Sequence, residues 1–182
     1  TSFPKAPGVV ESMTNFMLNI GTNVGRSGHN LSYQAENIVY ETRELICQLF
    51  NFDKPENVVF TKNVTESLYV LINGLLKEGD HLIVSSMEHN AVMRPLNSLK
   101  GQVEYSRIQC NSQGELNIED VEAAIRPNTR AIIMSQASNV CGTIIDLESI
   151  GQLCKENHLF FIIDSAQTAG LLPMDINRLH AD

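Results

Sequence analysis

No run of lysine and arginine appears in this sequence, and a formal net charge of −8 leaves no basic patch for a nucleic-acid backbone. Nor is there a long apolar run. The longest, Leu159–Ile163, is far too short to cross a bilayer, so no membrane association is expected. The N-terminus shows no charged head followed by an apolar stretch, so no signal peptide is expected and the sequons at Asn30 and Asn63 carry no weight. Cysteine is sparse. Cys47, Cys110, Cys141 and Cys154 are widely and unevenly spaced, with no C-x-x-C pair for zinc or redox exchange. They are expected to be reduced thiols of a cytoplasmic protein, mostly buried as small hydrophobes. A catalytic role for Cys141 stays open, because its loop is one of those assigned to a site below. The composition that is present is ordinary for a folded domain: 43% hydrophobic and 19% charged over 182 residues, enough for a sizeable core and incompatible with disorder.

Neither an internal repeat nor a low-complexity linker interrupts the chain. Short apolar runs alternate with helical periodicities. Asn57–Thr61, His81–Ser85, Val103–Ile108, Ala131–Ser135 and Leu159–Ile163 are brief, rich in Ile, Val and Phe, and apolar at nearly every position. That pattern predicts strands covered on both faces. Leu31, Ala35, Ile38, Thr42, Leu45 and Leu49 recur at spacings of three and four, predicting a long helix over Ser32–Phe50. Val64, Leu68, Leu71, Ile72 and Leu75 do the same and stop at Gly79-Asp80. Asn117–Ile125, halted by Pro127, and Leu147–Asn157 complete the helices. Strand alternating with helix implies a three-layer α/β/α fold with a mainly parallel sheet. The glycines of the Gly21–Gly28 loop do not make a dinucleotide fingerprint, since the spacing is wrong and no strand precedes them. No Walker A sequence is present either.

Ligands of open parallel sheets bind beyond the carboxyl ends of the strands, so the segment after each apolar run matters. Those segments are Thr61–Ser67, Ser85–Asn90, Ser135–Asn139 and Asp164–Gln167, all polar and small, and they should converge on one sheet edge. Each has a plain structural reading. Asn63 and Thr65 suit a helix cap, or a phosphate seat where free N–H groups and the positive dipole end point. His89 suits a helix start or a ligand contact, and Asn139 suits a turn. Asp164 is the costly residue. A carboxylate directly after four apolar residues needs a charged or hydrogen-bonded partner, whether it caps the next segment or waits for a cationic group such as a protonated ring nitrogen.

The order of phosphate-binding turn, Glu-His, Ser-Asn-Val-x-Gly and Asp-x-Ala-Gln resembles the class V aminotransferase and cysteine desulfurase family. These are fold-type I enzymes that use pyridoxal phosphate. The likeness runs over nearly the whole chain, beginning at Thr1–Gly8. It implies that Val64 and Thr65 bind the cofactor phosphate and that His89 stacks on the ring and helps move protons. It further implies that Asn139 lies near the ring hydroxyl and the substrate carboxylate, that Asp164 pairs with the ring nitrogen, and that Gln167 bonds the ring hydroxyl. A carboxylate beside the nitrogen favours its charged form, and a protonated ring is the electron sink the chemistry needs. Arg26-Ser-Gly-His29 is similar to a loop that borders the site in relatives, often across a dimer interface, which makes Arg26 and His29 candidate substrate contacts.

The same resemblance places the Schiff-base lysine in a Ser/Thr-x-His-Lys segment that should follow His180-Ala-Asp182. Lys5, Lys54, Lys62, Lys77, Lys100 and Lys155 all lie in other contexts. Nor does the sequence contain the family's small C-terminal domain or the mobile loop bearing the desulfurase cysteine. The expected organisation is therefore an N-terminal segment with the site-bordering loop over 1–30 and an incomplete cofactor-binding large domain over 31–182. The implied activity is conversion of cysteine to alanine with sulfur left on the enzyme, by a homodimer that hands it to a sulfur-acceptor protein. A class V aminotransferase or lyase acting on another amino acid stays open, as does a non-catalytic dimerisation or binding module. A nucleotide-binding Rossmann-like domain ranks last, lacking its fingerprint.

Overall fold

The computed structural model describes residues 4–25 and 28–182. The chain divides into two compact units, Thr1–Gln48 with Asp53–Val58, and Leu49–Phe52 with Val59–Asp182. The first unit is helical. Helix α1 (Val9–Asn15) continues as a π turn over Phe16–Ile20 and stops at Gly21, whose φ of 43° lies in the left-handed region that glycine adopts without penalty. Helix α2 (Asn30–Leu49) is the long helix the periodicity predicts, begun two residues earlier. Its buried residues are Ser32, Ala35 and Cys47, whereas Leu45 of the predicted stripe is 63% exposed.

The second unit is the sheet. Strands β1 (His81–Ser85), β2 (Glu104–Ile108), β3 (Thr129–Ser135) and β4 (Phe160–Asp164) lie in the order β2-β1-β3-β4. Every pairing is parallel. Helices α3 (Val64–Leu75), α4 (Asn90–Ser98), α5 (Ile118–Ala123), α6 (Leu147–Glu156) and α7 (Ile176–Leu179) connect and cover it. Alternate strand residues point to opposite faces and so build two cores. Leu82, Val84, Ala131, Ile133 and Ile162 meet Leu68 and Ile72 of α3 and Val92 and Leu96 of α4. Ile83, Ile108, Ile132, Met134 and Phe161 meet Val121 of α5, Ile150 and Cys154 of α6, and Leu179 of α7. This is the predicted three-layer arrangement. Among the described residues no helix is long and apolar enough to cross a membrane.

Two elements depart from the sequence reading. The run Asn57–Thr61 is not a strand: Pro55–Asn57 forms a 3-10 turn, and Val58 to Thr61 is irregular backbone outside the sheet. Val59 is 76% exposed there, so the apolar residues that suggested a buried strand have no layer to enter. Conversely, α4 forms where Pro95 argues against a helix. The ring sits on the buried side, and packing of Ala91, Val92, Pro95 and Leu96 outweighs the lost hydrogen bond.

Helices α6 and α7 approach closely at Gly151, where a Cβ would overlap the Leu179 carbonyl oxygen of α7. Alanine gains roughly 1 kcal/mol of helix propensity over glycine, but it cannot occupy backbone. Gly151→Ala is expected to lower stability by roughly 1–3 kcal/mol net, read as a lower urea midpoint. An unchanged midpoint would show that α7 moves away freely.

Candidate functional site

The parallel ladders end together on one edge. Asp164 closes β4 opposite Ser135 of β3, and Ser85 closes β1. The four polar segments meet here. A cavity of about 120 Å³ is lined by Val64, His89, Ser135, Asn139, Asp164 and Gln167, among others. Thr65 lines a neighbouring cavity of about 350 Å³ with Tyr69 and Arg94, and His89 belongs to both.

Local hydrogen bonds explain how each side chain is delivered. Asn63 is the cap of α3: its side chain accepts from the Glu66 N–H at 3.0 Å, while the Glu66 carboxylate accepts from the Lys62 N–H at 2.7 Å. Val64 and Thr65 thus occupy the first turn, with the positive end of the helix dipole. His89 is both helix start and cavity wall. Its Nδ1 accepts from the Ala91 N–H at 3.1 Å, so the neutral ring carries its proton on Nε2. Asn139 rides on a tight loop in which the Ser138 hydroxyl accepts from Val140 N–H at 3.2 Å and Gly142 N–H bonds the Ser138 carbonyl at 3.0 Å.

Asp164 is 6% exposed and accepts from the Ala166 N–H at 2.9 Å through Oδ1. It forms no ion pair among the described residues, whose salt bridges are Arg126–Glu104 and Arg178–Glu148. A buried carboxylate that faces a cavity, with no ion pair among the described residues, is costly to bury. Gln167 follows on the same loop, which the buried pair of Thr168 hydroxyl and Gln136 Oε1 ties to the end of β3. Gln136, Thr168 and Glu88, the acid of the Glu-His pair, were given no role in the sequence reading, and the Glu88 carboxyl group bonds Ser85 and Ser135. Their signal, polar residues adjoining apolar runs, was there but pointed nowhere without the fold.

Arg26 lies outside the described residues. His29 belongs to the first unit, where its Nδ1 accepts from the Ser32 N–H at 3.2 Å at the start of α2. A larger cleft of about 360 Å³ beside α6 and α7 is lined by acids already engaged: Asp146 and Asp175 cap helices, and Glu148 pairs with Arg178. No group of His, Cys, Asp or Glu among the described residues could hold a metal ion.

Fold and site define an α/β domain with a polar-lined cavity at the carboxyl edge of a parallel sheet, the edge where such sheets receive ligands. The family model for aminotransferase class-V matches residues 1–182, and the chain belongs to that family of enzymes. It is 35% identical to the cysteine desulfurase IscS of Vibrio vulnificus and 34% identical to that of Shewanella loihica, in each case over 98% of this chain and 46% of the relative. The apo structure of the cysteine desulfurase from Thermococcus onnurineus superposes with a TM-score of 0.88 at 31% identity, covering 95% of this chain and 44% of that one. SspA in complex with cysteine gives 0.93 at 31% identity, covering 100% of this chain and 53% of that one. The chain thus spans about half the length of the curated relatives it matches.

Cys141, in the Asn139 loop, is exposed, and hydrogen bonds with Ser138 and Thr143 bring its thiol down to about 7. Burial pushes Cys154 up to about 12. At neutral pH iodoacetamide is expected to label Cys141 first and Cys154 only after unfolding, followed by peptide mass mapping. Equal labelling of the two in the folded protein would contradict the geometry.

Proposed function

We propose that this chain is the cofactor-binding part of a pyridoxal-phosphate enzyme that converts cysteine to alanine and retains the sulfur. The observation that carries this reading is the buried carboxylate of Asp164, without an ion pair among the described residues and set in one cavity with His89, Asn139 and Gln167. The donor set fits the group: a helix start for an anionic tail, a flat imidazole for a ring face, amides for a hydroxyl, and a carboxylate for a ring N–H. Likeness to cysteine desulfurases over 98% of the chain supports the substrate.

In this reading Val64 and Thr65 seat the phosphate with backbone N–H groups and the Thr65 hydroxyl. His89 covers the ring, excludes water, and holds a proton on Nε2 ready to move. Asp164 keeps the ring nitrogen protonated, Gln167 and Asn139 orient the ring hydroxyl, and Asn139 also meets the substrate carboxylate. Arg26 and His29 are assigned to substrate contact on the family resemblance alone. When bound, pyridoxal phosphate supplies an electron sink beside the substrate α-carbon. The 63% exposure of Leu45 on α2 supports a homodimer that covers this face, and a sulfur-acceptor protein is the further partner.

Equilibrium titration with pyridoxal phosphate tests the site. Saturable binding is expected, weakened by about tenfold to a hundredfold in Asp164→Asn. In the full-length protein, cysteine should yield alanine and, with a reductant, sulfide. Transamination of alanine and glyoxylate instead would make it an aminotransferase. Absence of saturable binding in both chains would leave a non-catalytic module.

A further inference from the structure

Glu88 is the polar residue at the sheet edge that the proposed chemistry leaves without a task. It follows the two-residue turn after β1, just ahead of His89. The pairing of β1 with β3 last registers at Val84 and Ile133, so β3 continues past its neighbour as far as Ser135. There the Glu88 carboxyl group takes over. Oε1 accepts from the Ser135 N–H at 3.1 Å and from the Ser85 hydroxyl at 2.6 Å, while Oε2 accepts from the Ser135 hydroxyl at 2.7 Å. The Ser85 hydroxyl in turn accepts from the Met87 N–H at 3.1 Å, closing the turn. Ser135 is the register partner of Asp164.

We propose that Glu88 is a positioning residue of this site: its carboxyl group stands where β1 backbone would continue beside Ser135, fixes the turn that delivers His89, and sets a second carboxyl next to Asp164. The inference rests on the cofactor reading only for what Asp164 meets. The tether and the charge are separable roles. Any acceptor of the same shape keeps the tether: in Glu88→Gln the amide oxygen still accepts from Ser135 N–H and Ser85, and the amide nitrogen donates to the Ser135 hydroxyl.

The charge has its own consequence. The titratable neighbours of Glu88 are Asp164 at the end of β4 and His89 at the start of α4, and β1 and β3 present Ser85 and Ser135. Arg107 of β2 reaches only the Ser86 carbonyl, at 3.4 Å, and no Lys or Arg among the described residues pairs with Glu88. Burial, with the Asp164 charge adding to it, raises the Glu88 carboxyl above the usual carboxylate range despite the hydrogen bonds from Ser85 and Ser135. A carboxyl whose folded pKa is raised contributes stability that is complete below its unfolded value and is lost as pH rises through the folded value. A cation placed on Asp164 relieves that repulsion, so Glu88 gives up its proton when the cation arrives, and binding of the cation strengthens as Glu88 ionises.

The test uses the whole chain as wild type, Glu88→Gln, Glu88→Ala and Asp164→Asn. Thermal unfolding is followed from about pH 4 to pH 8, and pyridoxamine 5′-phosphate, which forms no bond with lysine, is titrated over the same range. Wild type should lose Tm with rising pH relative to Glu88→Gln, and Asp164→Asn should shrink that difference. Affinity should fall about tenfold or more in Glu88→Ala at every pH, since Ser135 loses its partner. In Glu88→Gln it should fall only at the higher pH values. Unfolding and binding profiles of Glu88→Gln that track wild type at all pH values would overturn the charge role, and unchanged affinity in Glu88→Ala would overturn the positioning role. If wild type binds no pyridoxamine phosphate, the cofactor reading fails. The unfolding profiles with Asp164→Asn then decide for or against the Glu88–Asp164 coupling by themselves.

Discussion

The proposed site depends on the parallel pairing of β3 with β4, which ends with Ser135 opposite Asp164. Parallel strands bring like ends together, so residues far apart in sequence, following each strand, arrive on one edge. The Gln136 N–H to Asp164 carbonyl bond at 3.0 Å carries the pairing one step past the ladder, and the Thr168–Gln136 pair fixes the loop that bears Gln167. Without that register Asp164 would not share a cavity with His89 and Asn139.

Much of this was legible in the sequence because burial on both faces leaves a simple mark. Four apolar runs became four strands with shifts of only a residue or two, and the polar residues after them became the cavity wall. Asn57–Thr61 carried the same mark and was misleading, since a short apolar run reports hydrophobicity and not the presence of a neighbouring strand. Helix α4 was hidden for the opposite reason: Asn90, Arg94 and Asn97 dilute its stripe, and Pro95 reads as a breaker. The periodicity of α2 found the helix yet did not say what would cover its apolar face.

The site residues divide along a similar line. Asp164 stood out because isolated buried charge is expensive wherever it occurs. Glu88, Gln136 and Thr168 did not, because their partners lie on other strands: Glu88 reaches Ser135 across 47 positions and Thr168 reaches Gln136 across 32. Sequence spacing encodes contacts within an element, whereas these contacts are created by strand order. His89 shows how the plain and the functional readings coexist, since one ring nitrogen caps α4 and the opposite side of the ring remains for the cavity.

The sheet edge is therefore the least self-sufficient part of the second unit. Two carboxyl groups, a serine pair and a buried amide are gathered at one rim, where apolar side chains would fold more easily. The two hydrophobic cores on either face of the sheet provide the stability that such a rim consumes. Ser85, Ser135 and Gln136 satisfy the side chains of Glu88 and Thr168, which leaves Asp164 as the acid that faces the cavity among the described residues. A rim built only for folding has no reason to isolate a charge in this way. One built to receive a cationic ring has, because a carboxylate that is costly to bury alone is then the charge that binds.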